Sequence, residues 1–192
     1  MIRLLTSALL LATALTAVAQ NPADGRFGAN IAAGARGLSG MFVKSPVEKF
    51  REAISSIAEF QVYEGVPNRG AAPAAFKAAK DRTDLIVVAD SFFFPKALEI
   101  SAPDREKLGE LFRSGKAFSP GEVPPCGTFH ADYLIVWKKP GADWNALVGL
   151  NCQEVQAVGA DVRFGRYIPP SGYAILSSAL AKSREPNPAV PN

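Results

Sequence analysis

One stretch constrains the fold more than any other: TFHADYLIVWKKPGADWNALVGLNCQEVQAV, residues 128–158. Its first part alternates with a period of two. Phe129, Ala131, Tyr133, Ile135 and Trp137 fall on one side, and His130, Asp132, Leu134, Val136 and Lys138 on the other, which is the pattern of a strand. Pro140-Gly141-Ala142-Asp143 is turn chemistry. WNALVGLNCQEVQAV then supplies the return. The stretch predicts a long β-hairpin, roughly Thr128–Lys138 paired with Trp144–Val158.

Helices can be placed around it. Ser45-Pro46-Val47-Glu48 is a capping box with proline at the first helical position. Val47, Phe50, Ile54, Ile57 and Ala58 follow at helical spacing and predict a helix from Pro46 to near Ala58. A short alanine-rich helix is expected over Pro73–Lys80, another over about Ala102–Ser114 capped by Ser101, and a last one over Ser171–Lys182. Val62 and Tyr63 suit a strand that ends at Gly65-Val66-Pro67. DLIVVAD, Asp84–Asp90, is an apolar β-branched run and predicts a buried central strand. In the SFFFP that follows, three adjacent phenylalanines cannot all face one core, so two are expected to pack and one to lie under a loop. The class expected is α+β, an antiparallel sheet built around the 128–158 hairpin with three or four packed helices.

The N-terminus carries Arg3, then a run of mostly apolar residues from Leu4 to Val18, then Ala17-Val18-Ala19. That order is the pattern of a secretory signal peptide cleaved before Gln20. The run is shorter than the roughly 20 apolar residues of a spanning helix, so no membrane insertion is expected after cleavage, and the destination is the periplasm or the medium. Residues 20–44 are rich in glycine and alanine and read as a linker or arm. Residues 45–183 form the single domain, and the proline-rich 184–192 read as a disordered tail. Excising the leader leaves twenty basic and eighteen acidic side chains, too near balance to point to nucleic acid.

The chemistry-bearing residues concentrate in CGTFHADY, Cys126–Tyr133, which holds one of two cysteines, the only histidine and an acid. A hairpin turning near Gly141 would bring Cys126, His130 and Cys152 to one end. Three readings follow. Cys126 and Cys152 form a structural disulfide, which export and an even cysteine count favour. Alternatively Cys126, His130 and Cys152 bind a metal such as zinc, with Asp132 or Glu154 as fourth ligand, though no Cys-x-x-Cys pair is present. In the third, a cysteine activated by His130 is a nucleophile. Asp132 and Glu154 could also pair as catalytic carboxylates. A full triad, a complete ligand set and a cofactor fingerprint are all missing from the sequence, so no cofactor is expected.

VYEGVP, FFFPKALEIS, CGTFHADYLIVW and the Cys152-Gln153-Glu154 segment together resemble a family of small exported bacterial proteins of unknown function. The resemblance spans about residues 60–158. Cys126, Gly127, Phe129, His130, Asp132 and Tyr133 fit its first cysteine segment, and Cys152 and Glu154 its second. Gly149 and Gln153 stand where the family carries a further cysteine and a histidine, which removes two candidate metal ligands. The resemblance brings no activity with it. The function expected is a non-enzymatic binding or structural module of the cell envelope that engages a protein or small ligand. The alternative is an exported hydrolase or metal-dependent enzyme using His130, Asp132 and Glu154.

Overall fold

The structure is a computed structural model that describes residues 44–120 and 128–181. The leader, nearly all of the Gly-rich arm, Cys126 and the tail lie outside the described residues. The chain runs α1 (Pro46–Ser55), β1 (Gln61–Gly65), α2 (Pro73–Lys80), β2 (Ile86–Val88), β3 (Ser91–Ala97), α3 (Ala102–Arg113), β4 (Tyr133–Trp137), β5 (Trp144–Gly149), β6 (Glu154–Val158), β7 (Arg163–Tyr167) and α4 (Pro170–Ala181). The seven strands form one sheet in the order β2-β3-β1-β4-β5-β6-β7, with every neighbouring pair antiparallel. The class is α+β.

Helix α1 starts where its sequence says it should. Ser45 Oγ accepts from the Glu48 N–H at 3.2 Å, and the Glu48 carboxylate accepts from the Ser45 N–H at 2.7 Å. The Ser45 N–H, and after it the Ser45 hydroxyl beside the carboxylate, hold the Glu48 carboxyl below its ordinary value. With the start fixed, Phe50 and Ile54 lie one turn apart on the same face, and both are fully buried. Helices α1, α3 and α4 bury their apolar faces with the inner face of the sheet. Tyr133, Ile135 and Trp137 of β4, Ala146 and Val148 of β5, and Val155 and Ala157 of β6 face them.

Phe50 is the centre of that core. Its ring meets Phe118, Trp137, Trp144 and Phe164 edge-on, with centroids 5.7 to 6.2 Å apart. Trp137 also meets Phe60 and Phe112 at 5.5 and 5.2 Å. Trp137 and Trp144 are directly paired across β4 and β5, at the closed end of the hairpin. Such pairs add to area burial by about 0.5–1.5 kcal/mol each.

The opposite face holds a smaller apolar cluster of Tyr63, Phe93, Ala131, Leu134, Val136 and Leu147. All five residues of β4 are therefore buried, because both of its faces are covered.

Three expectations need correction. The 128–158 stretch does build the middle of the sheet, but as three strands. The return arm breaks at a turn over Leu150–Gln153, where Gln153 has φ +50°. The strand also begins at Tyr133 and not at Thr128. Phe129 and Ala131 join the outer cluster, so the strict alternation ends at Asp132. Finally, DLIVVAD is an edge and not a centre. β2 has only three residues, and Val87 is 59% exposed. The run is interrupted because Ala89 and Asp90, with φ of 47° and 66°, form a two-residue hairpin turn. Of the three phenylalanines on β3, Phe93 is buried. Phe92 and Phe94 point the other way, under Lys80 and Arg82 at 4.6 and 5.6 Å.

Three expectations for experiment follow from these packing features. Phe50→Ala should lower unfolding free energy in urea by about 3–5 kcal/mol, the usual cost of emptying a buried aromatic site. Asp90→Gly should raise it by about 0.5–1 kcal/mol, since glycine adopts the left-handed turn position without the penalty of a side chain. Loss of stability by this variant would mean that the Asp90 side chain contributes more than its backbone strain costs. The third concerns pH. Because folding lowers the Glu48 pKa, its contribution is present above the ordinary carboxylate range and fades as pH falls through the depressed value. The stability difference between wild type and Glu48→Gln should therefore shrink between about pH 5 and pH 3.

Candidate functional site

The expected site residues sit at one end of the β4–β5–β6 ribbon. The chain reaches β4 through Thr128–Asp132, and this segment crosses the outer face of the sheet. It can do so because two neighbouring strand residues are glycines. A side chain on Gly149 would lie 2.6 Å from the His130 carbonyl and 2.9 Å from the Phe129 ring, and one on Gly65 would strike the Ala131 carbonyl. The close approach is the reason for glycine at both positions.

Asp132 fastens this crossing. Its N–H donates to Val148 O at 2.8 Å, and its carbonyl accepts from the Gly65 N–H at 2.7 Å. Its carboxylate oxygen Oδ2 accepts from the Leu150 N–H at 2.7 Å. One residue thus ties β1, β5 and the β5–β6 turn together. His130 is nearby, with Nε2 3.9 Å from Asp132 Oδ1, beyond hydrogen-bonding distance.

Glu154 does not join them. Asp132 is bound to β5 at Val148, and Glu154 pairs with Gly149 from the other side of that strand. The two acids are therefore two strands apart, a backbone separation of about 10 Å. The Phe129 ring lies over Gly149. Glu154 leans the other way. Its Oε1 accepts from Gln156 Nε2 at 2.9 Å and lies against Gly165 on β7, and the residue is only 7% exposed. Next to it the Tyr167 hydroxyl donates to Gln153 Oε1, and Gln153 O accepts from the Ile168 N–H at 2.7 Å.

Cys152 lies in the turn between β5 and β6, half-buried and not a free thiol. Cys126, the other cysteine of the chain, is outside the described residues. Among those residues no three His, Cys, Asp or Glu side chains are grouped to hold a metal ion.

A site absent from the sequence reading lies at the other end of the same strands. Where β1 begins and β3 and β4 end, a cleft of about 560 Å³ opens, lined by Ile57, Phe60, Leu98, Val136, Arg105 and Lys138, with Glu59, Gln61 and Ala97. Arg105 is fixed in place. Its Nη1 donates to Phe60 O at 2.6 Å, and its guanidinium lies 5.3 Å from the centre of the Phe60 ring. One signal could have drawn notice to it. Arg105 stands near the N-terminus of α3, where the helix dipole disfavours a cation.

Among the described residues no helix is long and apolar enough to cross a membrane. No family model, curated protein or solved structure matches the chain.

Proposed function

We propose that this chain is an exported, non-enzymatic binding module of the cell envelope, and that CGTFHADY is part of its framework. The observation that carries this reading is the engagement of Asp132. Its backbone and one carboxylate oxygen are bound to three separate parts of the sheet. A carboxylate held in this way orders the chain across β1, β5 and the β5–β6 turn. Glu154 is turned towards β7 and buried, so it does not complete a site with His130. The leader pattern supports export. Export in turn supports a bridge from Cys152 to Cys126, the only other cysteine in the sequence. The resemblance to small exported bacterial proteins agrees with this placement.

The reading is tested by separating stability from turnover. Asp132→Ala should lower unfolding free energy by about 2 kcal/mol, because the Leu150 N–H loses its acceptor. His130→Asn should change it by less than about 1 kcal/mol, since its imidazole makes no hydrogen bond to Asp132. Wild type and both variants should show no hydrolysis of test esters, peptides or glycosides above the uncatalysed rate. Turnover by wild type that falls a hundredfold or more in His130→Asn, with an unchanged melting temperature, would establish the enzyme reading instead.

A further inference from the structure

We propose that the cleft at the β1/β3/β4 end binds a small amphipathic monocarboxylate, its apolar body against Ile57 and Leu98 and its carboxylate held by Arg105 and Lys138. This rests on the binding-module reading and names the class of ligand.

The first argument is charge. Two cations and one acid, Glu59, line the cleft, so its lining carries one net positive charge. Among the described residues the ion pairs include neither Arg105 nor Lys138. A single negative charge balances the site, whereas a doubly charged phosphate would leave it net negative. The second argument is preorganisation. The guanidinium uses one N–H on Phe60 O and rests by the Phe60 ring, which leaves other donors of its planar fork for a ligand. An anchored arginine loses little side-chain freedom on binding, which favours affinity. The third is shape. The half-buried Ile57 and Leu98 give an apolar wall beside the cations, backed by the buried Phe60. A cleft of about 560 Å³ lies within the usual range for sites that take small organic ligands. The lining also resists collapse, since Phe60 packs at a tilt against the buried Trp137 at 5.5 Å. That contact gives a reporter as well, because a ligand beside Phe60 changes the surroundings of the Trp137 indole.

The test uses octanoate as the probe, titrated into the purified exported protein at neutral pH and followed by tryptophan emission and melting temperature. Octanol supplies the tail without the charge, and acetate the charge without the tail. Octanoate should bind saturably and raise the melting temperature, and each of the other two should bind at least tenfold more weakly. Lys138→Glu, which changes an exposed strand end, should weaken octanoate at least tenfold. Leu98→Trp, which fills the cleft, should do the same. Both variants should unfold like wild type without ligand. Equal binding of octanol, an unchanged affinity in Lys138→Glu, or no saturable binding would each overturn the proposal. If octanoate fails to bind while the ester, peptide and glycoside assays also stay blank, the ligand class falls and the binding-module reading stands. Histidine-dependent turnover in those assays overturns that reading whatever octanoate does.

Discussion

The edge-on contact of Phe50 with Trp137 and Trp144 is the interaction on which the rest of the molecule depends. Both indoles come from the last residue pair of the β4–β5 hairpin, and Phe50 comes from a helix more than eighty residues earlier. The contact therefore joins a local hairpin of the sheet to a partner distant in sequence. Its geometry is set from both ends. The Ser45–Glu48 box fixes where α1 starts, and so which way Phe50 points. The Gly141 turn, with φ +90°, fixes the register that puts Trp137 opposite Trp144. Phe118 and Phe164 close the ring and bring in the segment after α3 and strand β7. Among the described residues the Trp137 indole N–H is the one buried side-chain polar atom without a hydrogen-bond partner. An unmade bond of this kind costs about 1–3 kcal/mol, and the packing of the rings must outweigh it.

Covering the inner face with three helices leaves the outer face to be covered by other means. The chain does this with its own approach to β4. Phe129 and Ala131 pack outside the sheet beside Leu134 and Leu147, over the glycines of β1 and β5. The same crossing explains the clustering of polar residues that makes CGTFHADY conspicuous. A strand that changes sides within one residue leaves backbone groups to be satisfied, and Asp132 supplies the bonds.

Much of this is legible in the sequence. The capping box of α1, the Ser101 cap of α3, the alanine-rich run of α2 and the apolar spacing of α4 place the four helices, because local hydrogen bonding and side-chain periodicity decide them. Tyr133 to Trp137 are legible as a strand for the same reason. What fails is whatever depends on partners distant in sequence. Period two continues from Phe129 through Trp137, yet the backbone turns at Asp132. The cause is the pair Gly65 and Gly149, and no local pattern links either residue to Phe129. DLIVVAD reads as central by composition, but Ala89 and Asp90 adopt positive φ and end the strand after three residues. Asp90 suits such a turn, but Ala89 does not announce one, because its place is usually taken by asparagine, aspartate or glycine. The cleft is illegible for a similar reason. Arg105 and Lys138 lie on a helix and a strand end that each look solvated, and only the sheet topology brings them together.

The two ends of the central strands therefore carry opposite physical conditions. At the Asp132 end the carboxylate and backbone of one residue are bound to three parts of the sheet, and Phe129 lies over Gly149. Rearranging Asp132 would break bonds that hold the sheet. At the Arg105 end one cation, bonded through Nη1 to Phe60 O, lines an open cleft beside Ile57 and Leu98. Binding a ligand there requires no loss of framework. A site is expected where polar groups are ordered but not consumed; by that criterion Asp132 marks where the fold is fastened, and Arg105 and Lys138 are where we propose that a ligand is held.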